Sequence, residues 1–277
     1  MSNYTFKNNE WLEKASEQPV KATSGFPDFL GDGQSNEYQE LIESISVSEK
    51  GHFWFEARER LIKHFSEKFS AKGNYMEIGC GSGSILKIFH DAGYNVLGTD
   101  TNLLSLEKSF GKIGERNKLA LMDALNIPFE GYFDMIGMYD VLEHIDSDVE
   151  VLAQINKALK KGGRVIITVP QHMCLWSKFD EFIHHKRRYS RKDLLKKLVA
   201  AGFSVERCTS FVMLLTPLVY VSRRLFSQEE FDISREYNIS KMSNFVGRTS
   251  LFFELCLIKL GVSLPFGTSL VVVARKL

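Results

Sequence analysis

Cysteine is scarce in this chain: four residues in 277, at positions 80, 174, 208 and 256, with no C-x-x-C pair among them. That spacing excludes a disulfide framework and a structural zinc site. A charge excess is missing as well. Lys plus Arg number 35 against 34 Asp plus Glu, so no global field gathers nucleic acid or an anionic membrane. A polyanionic acceptor would have to be met by a local patch. Long apolar runs are also absent: the most apolar stretch, Phe211 to Val221, contains Pro217 and falls short of the roughly 20 residues that span a bilayer. The opening residues Met1-Ser2-Asn3-Tyr4-Thr5-Phe6-Lys7 show no apolar core of a secretory signal. The expectation is a chain that stays in the reducing cytoplasm. What remains, 44% hydrophobic and 25% charged residues, suits a globular protein long enough to bury a core.

Along the chain, residues 1 to about 35 read as an irregular arm. From Glu37 to Phe69, apolar residues recur at helical spacing (Leu41, Ile42, Ile45, then Leu61, Ile62, Phe65, Phe69) and predict two helices around Gly51. Short Val- and Ile-rich runs then alternate with helical stretches. Strands are expected at 75–78, 95–99, 119–122, 133–139, 164–169, 204–211 and 268–275, with Lys161-Gly162-Gly163 turning into the fifth. Apolar runs that short, separated by helices, imply a largely parallel sheet covered on both faces. Ser190 is placed to cap a helix that Gly202 ends. Residues 212–263 read as a helical stretch before the last strand.

Glycines at 79, 81 and 83 lie between the first of these strands and a helix. Without side chains there, the backbone can approach a ligand closely, beside the free N–H groups of a helix N-terminus. A glycine loop alone equally suits a tight turn. Its third position in the dinucleotide pattern G-x-G-x-x-G falls on Ser84, which disfavours a nicotinamide or flavin. Asp100 ends the second strand, where a doubly wound sheet brings a carboxylate beside the loop, able to accept from two ribose hydroxyls. Asp123 follows the third strand and can accept from an adenine amino group; alone it would serve as well as a helix cap.

These features together resemble the class I S-adenosylmethionine (SAM)-dependent methyltransferases, in the small-molecule group that includes the ubiquinone-biosynthesis O-methyltransferases. The resemblance covers about residues 50–277. It rests on Glu77-Ile78-Gly79-Cys80-Gly81-Ser82-Gly83, Asp100, Asp123-Ala124, the run from Phe133-Asp134 to Asp140-Val141-Leu142-Glu143-His144-Ile145, and Leu159-Lys160-Lys161-Gly162-Gly163. It implies an α/β, Rossmann-like fold with a seven-stranded sheet of order 3-2-1-4-5-7-6 and an antiparallel seventh strand. It also implies S-adenosyl-L-methionine as cofactor and S-adenosyl-L-homocysteine as product. The domain plan is an arm with helices over the cofactor site (1–70), a core (71–211) with a lid at 171–189, a helical insertion or cap (212–263) and a closing strand (264–277). The cofactor set that the resemblance implies is Phe55, Arg58, Glu77, Gly79, Cys80, Gly81, Asp100, Thr101, Asp123, Ala124 and Tyr139. Arg58, within His52-Phe53-Trp54-Phe55-Glu56-Ala57-Arg58, would face the methionine carboxylate.

The acceptor would sit beneath the lid, for which Trp176, His184, Arg188 and Tyr189 are candidates. In-line methyl transfer depends on positioning, and a hydroxyl acceptor benefits from a base. His144, at the end of the fourth strand, and His185 are the candidate bases; each also suits a structural imidazole. Asp140, Glu143 and His144 form D-x-x-E-H, similar to the E-x-x-E-H divalent-metal site of the ubiquinone-pathway enzymes but with Asp leading. Mg²⁺ there is the less favoured alternative. The cluster Lys186, Arg187, Arg188, Arg191 and Lys192 suits either a solvated face or an anionic acceptor group. The expected reaction is O-methylation of a small molecule (a sugar, a lipid-linked compound or a natural product), with N-methylation or non-catalytic SAM binding as alternatives. No nucleic-acid substrate is expected: Tyr139-Asp140-Val141-Leu142 replaces the N/D-P-P-Y/F motif of amino-methylating nucleic-acid enzymes. The insertion suits an acceptor cap, a homodimer contact or a peripheral membrane contact.

Overall fold

The computed structural model of the chain describes residues 21–30, 42–43, 49, 51–69, 72–225 and 239–277. The first of the two helices expected before Phe69 lies largely outside them, as does 226–238 of the insertion. Among these residues nine strands form one sheet: β1 (Lys21–Thr23), β2 (Phe26–Asp28), β3 (Asn74–Ile78), β4 (Asn95–Asp100), β5 (Leu119–Leu121), β6 (Phe133–Tyr139), β7 (Leu159–Pro170), β8 (Phe203–Phe211) and β9 (Ser269–Lys276). Their order is β1-β2-β5-β4-β3-β6-β7-β9-β8. The last seven positions reproduce the expected order, with β9 antiparallel to both β7 and β8.

The two extra strands correct the seven-strand expectation. Residues 21–28, read as an irregular arm, form a hairpin on the sheet edge, where Asp28 of β2 pairs with Leu121 of β5. Its turn, Ser24-Gly25, takes φ of 52° and 82°, the doubly positive geometry of a two-residue hairpin. Strands of three residues carry too little alternation to be read from sequence. What holds the hairpin is tertiary: Phe26 is fully buried, and the Arg116 guanidinium stacks 4.5 Å from its ring centroid.

Helices cover both faces. On one side lie α1 (Phe53–Phe69), α2 (Ser84–Asp91), α3 (Leu103–Ile113) and α8 (Lys241–Lys259); on the other, α4 (Asp148–Ala158) and α6 (Arg191–Ala200). Between them in sequence come α5 (Lys178–Phe182) in the lid and α7 (Thr216–Leu225) in the insertion. Alternation along the strands feeds both layers. In β9, Leu270, Val272 and Ala274 pack with α4 and α6, while Val271 and Val273 pack with α1 and α8. Each of the buried valines and Leu270 contributes roughly 1.5–3 kcal/mol. Ser190 caps α6 by accepting from the Asp193 N–H (3.1 Å), and Gly202 follows the helix with φ 85°. The glycine-rich turn expected before the fifth strand is instead a bulge inside β7: the register jumps from Phe133↔Leu159 to Met135↔Arg164.

The amino-terminal helix and the insertion form one layer. Asn244 of α8 accepts from the Phe53 N–H (2.9 Å) and donates to the Gly51 carbonyl (2.7 Å). Gly247 lets α8 approach the Phe53 ring, since a Cβ there would stand 2.5 Å from it.

Candidate active site

Between β3 and β6 the strand order reverses, and an open α/β sheet binds ligands at the carboxyl ends of strands at such a switch point. The glycine loop sits there. Gly79, Gly81 and Gly83 all have positive φ (67°, 53° and 76°). A Cβ on Gly79 would collide with Val141, and one on Gly83 would stand 2.9 Å from the Ser109 backbone. Asp100, at the end of β4, binds the loop from across: its Oδ2 accepts from the Gly81 N–H (3.0 Å) and its Oδ1 from the Asn102 N–H (2.9 Å). Burial raises its pKa, opposed by these backbone donors. Thr101 follows and adds a further backbone hydrogen bond to the same carboxylate. Cys80 is buried with its Sγ 3.6 Å from the Ser109 hydroxyl, and burial pushes its thiol well up. Asp123 follows β5; its Oδ1 accepts from the Leu125 N–H (2.9 Å), and Ala124 beside it is buried.

Arg58 on α1 crosses to the end of β6, where its Nη1 donates to Asp140 Oδ2 at 2.7 Å. Its guanidinium lies 4.5 Å from the Trp54 ring centroid and 5.5 Å from that of Phe55. Its Nε and the Thr168 hydroxyl are buried without a hydrogen-bond partner, and both residues line a cavity of about 10 Å³ with Trp54, Asp140 and Phe211. Below them Glu77 is buried, with its Oε2 3.4 Å from the Tyr75 hydroxyl. Burial pushes its pKa up to about 8, although Arg58 pulls it down. The Tyr139 hydroxyl points into the same group, 3.3 Å from that of Tyr75, and burial raises its pKa strongly.

The lid organises itself around Asp180. Ser177 and Asp180 make the capping box of α5, the local reason for an acid at this position. Its fully buried carboxylate also accepts from Arg188 Nε (2.7 Å) and Nη2 (3.0 Å) and from Arg223 Nη1 (3.1 Å), and lies 2.8 Å from His185 Nδ1. Burial alone would raise its pKa; the His185 hydrogen bond and the guanidiniums outweigh it and hold the carboxyl well below the usual range. With Nδ1 committed to Asp180, the His185 Nε2 faces Glu143 Oε1 at 3.5 Å, and its ring stands edge-on to His144, with centroids 4.7 Å apart. Glu143 is fully buried, and neither carboxylate oxygen has a hydrogen-bond partner. Burial drives its pKa well up, and Asp140 adds in the same direction. Burial and the neighbouring His185 and His184 drive that of His144 down to about 3.

Backbone strain collects at this edge. Asp140, His172, His184 and Val212 all have positive φ, between 55° and 65°, a region that a β-branched residue such as Val212 rarely enters. Such strain persists where the surroundings over-determine it, and functional sites are common among those places.

The structure sorts the candidates. His144, His185 and Glu143 come together. Asp140 is drawn to Arg58, which splits the D-x-x-E-H triplet. Trp176 is half-buried with its Nε1 3.4 Å from Glu181, and His184 is exposed. Arg188 and Tyr189 are buried on internal partners, Asp180 and Asp148 (2.7 Å from the Tyr189 hydroxyl), so neither is presented as a surface contact for an acceptor. The basic cluster is likewise dispersed: Arg187 pairs with Asp148 (2.9 Å), Arg188 with Asp180, and Arg191 donates to the Leu264 carbonyl (2.6 Å). Two residues escaped the sequence reading. Asp180 was legible as the acid of Ser177-x-x-Asp180. Glu49 had no such signal; it accepts from Ser82 and Ser84 (both 2.6 Å) and Lys112 (2.8 Å), clasping the loop from the amino-terminal side.

The comparisons with known proteins agree with this fold. A family model described as a methyltransferase domain matches residues 51–207, more than half of the chain, and the protein belongs to that family. Its fold is that of the class I SAM-dependent methyltransferases. Phosphoethanolamine N-methyltransferase 2 of Caenorhabditis elegans is 30% identical over 159 residues, which are 53% of this chain but only 36% of that enzyme. Among solved structures, a SAM-dependent methyltransferase from Archaeoglobus fulgidus superposes with a TM-score of 0.57 at 20% identity, covering 87% of this chain and all of that one. Phosphoethanolamine N-methyltransferase 2 of Haemonchus contortus, solved with SAM, gives 0.57 at 16% identity, covering 90% of this chain and 59% of that chain.

Proposed function

We propose that the protein transfers the SAM methyl group to a hydroxyl oxygen of a small acceptor held between the lid and the carboxyl ends of β6 and β7. The observation that carries this reading is the group of Asp180, His185, Glu143 and His144 at that edge, a proton-handling cluster beside the cofactor loop. In this reading Gly79, Gly81 and Asp100 hold the adenosyl ribose, and the second oxygen of Asp123, with Thr101 and Ala124, meets the adenine. Arg58 keeps its buried Nε–H for the methionine carboxylate while Nη1 holds Asp140; Phe55, Glu77, Cys80 and Tyr139 shape the floor. His185, oriented by Asp180, is the better base. A carboxylate behind an imidazole fixes its tautomer and orients the remote nitrogen, whereas burial drives the pKa of His144 down to about 3 and leaves it a weak proton acceptor. Trp176 and His184 frame the entrance.

The experiment is incubation of the protein with radiolabelled SAM and fractionated cell extract, followed by His185→Ala on the fraction that is labelled. Loss of about 10²–10⁴-fold in kcat, with SAM affinity unchanged, is expected; full activity in the variant refutes the base. The nematode relative favours a second reading, methylation of an amine nitrogen. An amine acceptor would lose rate as its own proton is retained at low pH, even in the variant.

The insertion favours an amphiphilic or lipid-linked acceptor. α8 exposes Met242, Phe245, Phe252, Phe253 and Leu257 together with Lys241, Arg248 and Lys259, and Leu260 follows it exposed. Its one acid, Glu254, is buried and accepts from the Met213 and Leu214 N–H groups (3.0 and 2.8 Å). Arg248 is paired with Glu56 (2.7 Å), and Lys241 and Lys259 beside these apolar side chains complement an anionic lipid surface. No helix among the described residues is long and apolar enough to cross a membrane.

A further inference from the structure

We infer that Glu143, His144 and His185 form a binding site for a divalent first-row transition cation. Each offers one ligand atom, and the three atoms lie within 4.8 Å of one another. Ligands around an ion at about 2.0–2.2 Å stand about 3–4 Å apart, so side-chain rotation closes the shell. The second observation is Glu143 itself: fully buried, with neither oxygen hydrogen-bonded. Buried carboxylates are normally paired or coordinate metals. The third is the support around His185. Its Nδ1 lies 2.8 Å from Asp180 Oδ1, the carboxylate–histidine arrangement that orients the remote nitrogen toward a metal, and that nitrogen faces Glu143. The Lys186 N–H donates to the Glu143 carbonyl (2.8 Å), fastening the lid segment that carries His185 to the turn that carries the other two.

This set differs from the one the sequence pattern suggests. Asp140 is held by Arg58, and a histidine 41 positions beyond His144 takes its place. Exchanging a carboxylate for an imidazole changes the selectivity: two imidazoles and one carboxylate suit zinc, iron or cobalt, whereas Mg²⁺ prefers oxygen ligands and retains its waters. A cation here would act as a Lewis acid on the acceptor hydroxyl and would hold His185 as a ligand instead of a free base. The inference rests on the reading of this edge as the acceptor site.

The test is equilibrium dialysis of the full chain against Co²⁺, read by metal analysis and by visible d–d absorption, with SAM affinity measured in parallel by calorimetry. One equivalent of Co²⁺, displaced by Zn²⁺, is expected. His144→Ala, Glu143→Gln and His185→Gln should each weaken it by at least about tenfold, a loss of the size that follows disturbance of a metal ligand's support, while SAM affinity reports an intact fold. Asp140→Asn and His184→Ala should leave Co²⁺ affinity unchanged. The inference is overturned if Co²⁺ does not bind stoichiometrically, if His185→Gln binds it as tightly as the parent, or if Asp140→Asn abolishes it. SAM binding without Co²⁺ binding ends only the metal site; loss of SAM binding in the parent protein ends the reading beneath it.

Discussion

Asp100 serves two ends with one carboxylate. It fixes the glycine loop through the Gly81 N–H, and in the proposed complex it accepts from the ribose. Replacing it with alanine removes both, so Asp100→Ala is expected to abolish measurable SAM binding by calorimetry; an unchanged affinity would remove it from the site. Glu77 makes a different prediction, about pH. Its pKa is about 8 in the fold against an ordinary 4.5, so between those values the native state keeps a proton that the unfolded chain has lost. Stability from this group is therefore full below pH 4.5 and declines as pH rises toward 8, at up to about 1.4 kcal/mol per pH unit. Glu77→Gln cannot ionise. Its thermal midpoint should fall less across this window than that of the parent and exceed it above pH 8; parallel profiles would show that Glu77 is ionised throughout.

At the scale of elements, α7 and the lid are joined through Arg223. Its Nη1 reaches the Leu175 carbonyl (2.6 Å), the Ser177 hydroxyl (2.7 Å) and Asp180. Arg188 still neutralises Asp180 when Arg223 is removed, so the cost falls on the attachment of α7 and not on the fold of the lid. Arg223→Ala should raise amide exchange in α7 and around Leu175 to Ser177, lower turnover and leave SAM affinity alone. Unchanged exchange in α7 would mean that its apolar contacts, not this arginine, hold it.

For the whole molecule, the salient fact is the distribution of its balanced charge. In the lid Arg187 and Arg188 are paired with Asp148 and Asp180, while α8 keeps Lys241 and Lys259, and Arg248 on Glu56, beside exposed aromatics. Vesicle flotation tests the consequence: the parent protein should float with anionic vesicles and not with neutral ones, and Phe252→Ser with Phe253→Ser should release it. If the double variant still floats, or if it only converts a dimer to a monomer in sedimentation, the face belongs to another partner.

Some of this was determined by the sequence alone. The seven core strands, the loop at Gly79 to Gly83 and the acids at 100 and 123 were legible because each depends on local pattern: alternation, glycine spacing, and an acid at a strand end; the strand order came only with the resemblance to the methyltransferase family. The hairpin at 21–28 was not legible, since its stability comes from Phe26 and Arg116, which meet only in the folded chain. The same holds for the edge at Glu143, where the acceptor is proposed to sit. Sequence placed Asp140, Glu143 and His144 in one motif; the fold divided them, pairing Asp140 with Arg58 from 82 positions away and bringing His185 to the other two. Which polar groups lose water, and which partners they find, is set by packing between distant segments, so burial, pKa and ligand sets belong to the tertiary structure.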